Sequence, residues 1–107
     1  MGVHVIIWEF MTREGLVQEF ERAYGPEGDW ARQFRRAPGY LGTTLIRDLE
    51  TPRRYLTIDR WVSRRAFEEF REVHAADYET LDRRLASLTG EERRVGIFEE
   101  ALNRADA

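Results

Sequence analysis

The chain predicts an α+β protein of ferredoxin-like arrangement, βαββαβ, with an antiparallel four-stranded sheet and both helices on one face. Three observations point there. Four short runs are rich in β-branched and aromatic residues. Two longer stretches carry apolar residues at three- and four-residue spacing. Their order is strand, helix, strand, strand, helix, strand. The length, 107 residues, suits a single domain over 1–107, with a tail from about residue 101 expected to fray.

Each element has its own signal. Val3–Phe10 reads VHVIIWEF, nearly all apolar, and predicts a strand covered on both faces. Thr12 is placed to cap a first helix, in which Leu16, Phe20, Ala23 and Tyr24 form one apolar face. Gly25-Pro26 ends that helix, and Asp29 is expected to cap a second helical piece with Trp30 and Phe34 one turn apart. That piece stops at Ala37-Pro38-Gly39. Tyr40–Asp48 and Arg53–Trp61 are strands joined by the turn Leu49–Pro52, which predicts a hairpin. Ser63 caps a long helix running to about Leu88. Thr89-Gly90-Glu91-Glu92 has a capping-box pattern for one further turn, and Val95–Glu100 is a final short strand.

Two helices cover only one sheet face. In the first strand Val3, Val5 and Ile7 alternate with His4, Ile6, Trp8 and Phe10, so both faces are apolar. One set meets the helices; the other needs a second cover. The simplest cover is the same face of another copy, which predicts a homodimer with its sheets face to face.

Composition removes several chemistries. There is no cysteine, hence no disulfide, thiolate nucleophile or cysteine metal site. There is no lysine either; all seventeen positive charges are arginine, which excludes Schiff-base chemistry on lysine. His4 and His74 are not at metal-motif spacing, so no metal site is expected. The net charge of −3 carries no basic stripe, which argues against nucleic acid. No segment is apolar enough to span a bilayer and the start does not read as a signal peptide, so a cytoplasmic protein is expected. Gly25-Pro26-Glu27-Gly28 interrupts helices rather than following a strand, so it is no phosphate loop.

The functional signal lies in the long helix. On a helical wheel Phe67, Phe70, His74, Tyr78, Leu81 and Leu85 fall within an arc of roughly 80°. His74 thus sits mid-stripe among aromatic residues. It is either a hydrogen-bonded core histidine or the wall of a pocket, serving as acid, base or anchor. Polar-tipped aromatics Trp8, Tyr40, Tyr55 and Trp61 are expected to face it, which suggests a pocket for a flat, partly polar molecule. Candidate catalytic residues are His74 and Tyr78. Candidate substrate-binding residues are Trp8, Phe10, Phe34, Tyr40, Trp61 and Phe70. Arg47 and Asp59 either pair across the hairpin, which is structural, or one of them points into the pocket, where Arg47 is the natural holder of an anionic ring oxygen.

Three pieces resemble the antibiotic biosynthesis monooxygenase family: Pro38-Gly39-Tyr40 opening the second strand, Trp61-x-Ser63 followed by Ala66-Phe67, and the closing LTGEERRVGIFE. The likeness runs from the first strand to about Glu99. It implies subunits that pair into a dimeric α+β barrel. It also implies several functions: some members oxidise polycyclic aromatic phenols with O₂ and no cofactor, others degrade heme, and still others have no known activity. The heme-degrading pattern departs here: its first-strand asparagine corresponds to Trp8, its helical tryptophan to Phe70 and its heme-binding histidine to about Thr80. That argues against heme degradation. The expected function is a cofactor-independent monooxygenase-like enzyme acting on a small aromatic or polyketide-like molecule. The alternative is a non-catalytic ligand-binding homodimer of the same fold.

Overall fold

A computed structural model describes residues 2–102. Its elements are β1 (His4–Thr12), α1 (Val17–Tyr24), α2 (Asp29–Phe34), β2 (Tyr40–Arg47), β3 (Arg54–Trp61), α3 (Arg64–Val73), α4 (Ala75–Leu85), a 3₁₀ turn (Ala86–Leu88) and β4 (Thr89–Glu99). The four strands form one sheet in the order β2-β3-β1-β4, antiparallel throughout, which is the ferredoxin-like arrangement. Of the expected fraying tail, residues 103–107 lie outside the described residues; Ala101 and Leu102 are exposed.

Register decides which side chains meet the helices. Trp8 opposes Thr57, Ile6 opposes Asp59, and Asp59 in turn opposes Thr43. Side chains alternate between faces, so Ile6, Trp8, Phe10, Thr57, Asp59 and Thr43 share one side. Ile6 and Phe10 are buried there under the helices in two adjoining clusters. One gathers Phe20, Tyr24, Tyr55, Leu81 and Leu85 around Phe10. The other gathers Phe34, Trp61 and Phe70 around Ile6. Trp8 packs against both clusters, and so does Trp30 of α2.

Several local expectations are corrected. Thr12 does not cap α1; it ends β1, opposite Thr89, and is fully buried. A turn with Gly15 at φ +82° intervenes, and α1 starts after Leu16 without a side-chain cap. Asp29 is the first residue of α2 rather than its cap, and it pairs with Arg84 (2.8 Å) and Arg32 (3.3 Å). The long helix is two helices. His74, at φ −111° and ψ 28°, separates α3 from α4, although no glycine or proline marks the break. The bend lets Phe70 reach the Trp61 cluster while Leu81 and Leu85 reach the Phe10 cluster. Thr89–Glu92 is no helical turn either. β4 already begins at Thr89 and follows β1 along its whole length, with register shifts between Ile7 and Trp8 and between Met11 and Thr12.

Other signals hold. The Ser63 hydroxyl accepts from the Ala66 backbone N–H at 3.1 Å and caps α3. Gly39 is required by close approach: a Cβ there would come within 2.5 Å of the Ala66 Cβ. Pro38-Gly39-Tyr40 and Ala66 therefore belong to one contact, the seam between the start of β2 and α3.

Candidate functional site

A cavity of about 220 Å³ lies between the sheet and the helices. Alternating strand residues make its floor: Trp8 and Phe10 from β1, Thr57 and Asp59 from β3, Thr43 from β2 and Glu92 from β4. The helices make its roof with Tyr24, Trp30, Phe34 and, from α3 and α4, Arg71, Tyr78 and Asp82. Arg71, Asp82 and Glu92 are exposed and mark its mouth, whereas Tyr24, Phe34 and Phe10 are buried.

Asp59 is the unusual group. Removal from water pushes its carboxyl up to about 6, and the hydrogen bond from Thr43 opposes that rise only in part. Thr43 Oγ1 donates to Asp59 Oδ1 at 2.6 Å, so the Tyr40 hydroxyl donates to Thr43 Oγ1 at 2.5 Å. Among the described residues no cation pairs with this carboxylate; its hydrogen-bond partner is a neutral hydroxyl. Burial also drives the Tyr24 phenol up to about 12. It raises Tyr78 as well, against the Arg71 guanidinium, which stands 3.9 Å from the centre of the Tyr78 ring. Both phenols stay protonated at neutral pH and remain donors. At the mouth, partial burial and the neighbouring Asp82 raise Glu92. Trp30 Nε1 is buried beside the Tyr24 phenol, close enough to oppose the rise of that phenol, yet makes no well-formed hydrogen bond among the described residues, which leaves a donor in the wall of the cavity.

Of the residues expected from sequence, Trp8, Phe10, Phe34 and Tyr78 line this cavity. Tyr40, Trp61 and Phe70 stand behind its wall. Trp61 is fully buried, 5.5 Å from Phe34 and 5.4 Å from Phe70 between ring centres. Tyr40 reaches the cavity through Thr43. His74 does not line it; the half-buried imidazole packs 5.1 Å from the Phe70 ring at the bend between α3 and α4. The expected Arg47–Asp59 pair is not formed. Arg47 opposes Tyr55, four residues away from Asp59 along β3, and lies exposed 4.0 Å from Glu21.

The sequence leaves Asp59 only as an alternative entrant to the pocket, and gives no sign of Thr43, Thr57, Arg71, Asp82 or Glu92 in the lining. One signal was available for Asp59. It shares the parity of Tyr55, Thr57 and Trp61 on β3, and Trp61 was already expected to face the helices.

Most of the lining falls within the stretch that a known family shares, whereas Tyr78, Asp82 and Glu92 lie beyond it. The sequence profile of antibiotic biosynthesis monooxygenases matches residues 3–77. No curated protein matches the chain in sequence. Among solved structures, the chain is similar to SnoaB, a cofactor-independent oxygenase from Streptomyces nogalater. The TM-score is 0.75 at 20% identity, over 99% of this chain and 100% of that one. It is similar to a Bordetella bronchiseptica protein assigned as an antibiotic biosynthesis monooxygenase, at TM-score 0.73 and 22% identity over 95% and 100% of the two chains. It is also similar to MhuD, which was solved with two manganese protoporphyrin IX molecules per active site. There the TM-score is 0.70 at 22% identity, over 95% and 98%. These likenesses establish a shared fold, and the profile covers well over half of the sequence. The chain belongs to the antibiotic biosynthesis monooxygenase family.

Proposed function

We propose that the protein binds a small phenolic aromatic molecule between sheet and helices and oxidises it with O₂ without a cofactor. The observation that carries this reading is Asp59, a carboxyl lifted to about 6 inside a cavity walled by aromatic rings. The ring of the substrate packs against Trp8, Phe10 and Phe34. Asp59 accepts the phenolic proton, and the electron-rich phenolate reacts directly with O₂. Tyr78 and Trp30 supply hydrogen-bond donors to the anion.

With 1-naphthol as probe the chemistry balances. The ring C–H opposite the hydroxyl becomes a carbonyl, giving 1,4-naphthoquinone. One oxygen atom enters the ring and the other leaves as water. The ring supplies the four electrons, so no external reductant is consumed. The raised carboxyl narrows the gap to a phenol of pKa about 10 by roughly 2 units, or about 3 kcal/mol.

His74, expected from sequence to act as the base, instead supports Phe70 in this reading. The dimeric unit remains the expected one: two copies joined through the uncovered sheet face, acting in the cytoplasm. The departures from the heme-degrading pattern at Trp8, Phe70 and Thr80 favour the phenol reading over the heme one.

Oxygen-electrode assays with 1-naphthol test the proposal. Wild type consumes O₂ with one quinone formed per O₂, and Asp59→Asn loses about 100-fold or more in rate. Binding of 1-naphthol without O₂ uptake would support the non-catalytic ligand-binding reading instead.

A further inference from the structure

The cavity is charged asymmetrically. Asp59 sits at the β2–β3 side of the floor, level with Ile6 of β1. Glu92 sits on β4, level with Phe10. Two strand spacings across and four residues along place their backbones roughly 17 Å apart, at opposite corners. Asp82 joins Glu92 at the second corner, where the two carboxyls interact. Among the described residues Arg71, the one cation in the lining, has its guanidinium spread over the face of Tyr78 and forms an ion pair with neither carboxyl. A ligand whose phenol reaches Asp59 therefore points its far end at two carboxyls and one engaged guanidinium.

Size adds a second limit. A cavity of about 150 Å³ holds one benzene ring. The 220 Å³ found here takes one or two fused rings, and any further ring would lie in the open mouth beside Asp82 and Glu92.

Resting on the reading that this cavity binds a phenol, we propose that its ligand is a phenol of one or two fused rings with no negative charge, and that Asp82 and Glu92 reject carboxylated analogues. The discrimination comes from repulsion. A carboxylate entering at the mouth would lose hydration and meet like charge at short range, where the effective dielectric is well below that of water. Asp82 and Glu92 are specificity-determining residues here. Neither is placed to touch the reacting hydroxyl, which lies at the Asp59 corner.

Isothermal titration of the whole protein at pH 7.5 with 1-naphthol and with 5-hydroxy-1-naphthoate tests this. The two probes share ring system and hydroxyl and differ by one carboxylate on the far ring. The expected result is that the carboxylated probe binds at least about tenfold more weakly. In Asp82→Asn/Glu92→Gln the ratio of the two dissociation constants falls towards one, and in Arg71→Gln it widens. Asp82, Glu92 and Arg71 are all exposed, and circular dichroism checks that the variants stay folded. Equal or tighter binding of the carboxylated probe by wild type overturns the inference, leaves the phenol site standing and makes Arg71 a carboxylate holder. A tenfold preference that the double variant leaves unchanged also overturns it. If neither probe binds, the phenol reading itself fails.

Discussion

Asp59, the proposed base, also makes a thermodynamic statement. Its carboxyl titrates near 3.8 when unfolded and at about 6 when folded, so the native state binds the proton more tightly. Below pH 4 both states are protonated and no cost appears. Between pH 4 and 6 the unfolded chain releases its proton first, and stability falls as pH rises. Above 6 the full cost is present, of the order of 3 kcal/mol. Asp59→Asn keeps an oxygen to accept from Thr43 and removes that cost. Thermal unfolding should show the variant more stable than wild type at pH 7.5, by several degrees, with the difference vanishing at pH 4. A variant less stable than wild type at pH 7.5 would contradict the burial argument. Asp48 has the opposite sign. Backbone N–H groups of Glu50 and Thr51 together with Arg54 hold it down at about 2, so its contribution is present above pH 4 and is lost as pH falls towards 2. These two aspartates look alike in the sequence. Only the pleat separates them, since it turns Asp59 towards the helices and leaves Asp48 at a strand end beside Arg54.

Among the elements, the strands were legible because their signal is short-range: β-branched and aromatic runs bounded by turns. The helix that divides at His74 was not, because its cause is tertiary. Apolar spacing continues through residue 74, and only the need to serve two clusters at once bends the backbone there. The same limit hid the role of Thr12, whose type suits a cap but whose place opposite Thr89 depends on β4. Two junctions are testable. Removing the hydroxyl that caps α3, by Ser63→Ala, should cost about 1 kcal/mol in urea unfolding. Gly39→Ala forces a methyl to 2.5 Å from the Ala66 Cβ, with Val62 at 3.0 Å, so β2 and α3 must separate. Destabilisation of about 1–3 kcal/mol is expected, with partial relief in the double variant Gly39→Ala/Ala66→Gly. No relief in that double variant would show that the contact does not set the seam.

At the scale of the molecule, no helix among the described residues covers one face of the sheet. Ile7 and Ile58 face each other there, half-buried, with Leu56 beside them and exposed Ile46 and Phe98 at the flanks. Glu9 binds Arg54 and Arg93 nearby and adds a polar margin. The apolar alternation of β1 disclosed this face from sequence alone, and a small domain gains much by covering it. Light scattering should give twice the chain mass of 12.7 kDa, and Ile58→Arg should shift the protein towards monomer. A wild type that runs as a monomer at micromolar concentration would remove the dimer from the account. The cavity on the other face was legible only as an aromatic wall. Its carboxyls escaped notice because acidic residues in a charge-rich chain read as solvent-facing until register places them. The central claim is that Asp59 takes the proton of the phenol, and the pH dependence of kcat/KM for O₂ uptake with 1-naphthol tests it most directly. The account predicts a rate that rises with pH through about 6 in wild type and in His74→Ala, with that limb absent from the residual activity of Asp59→Asn. A limb that persists in Asp59→Asn, or that disappears in His74→Ala, would contradict it.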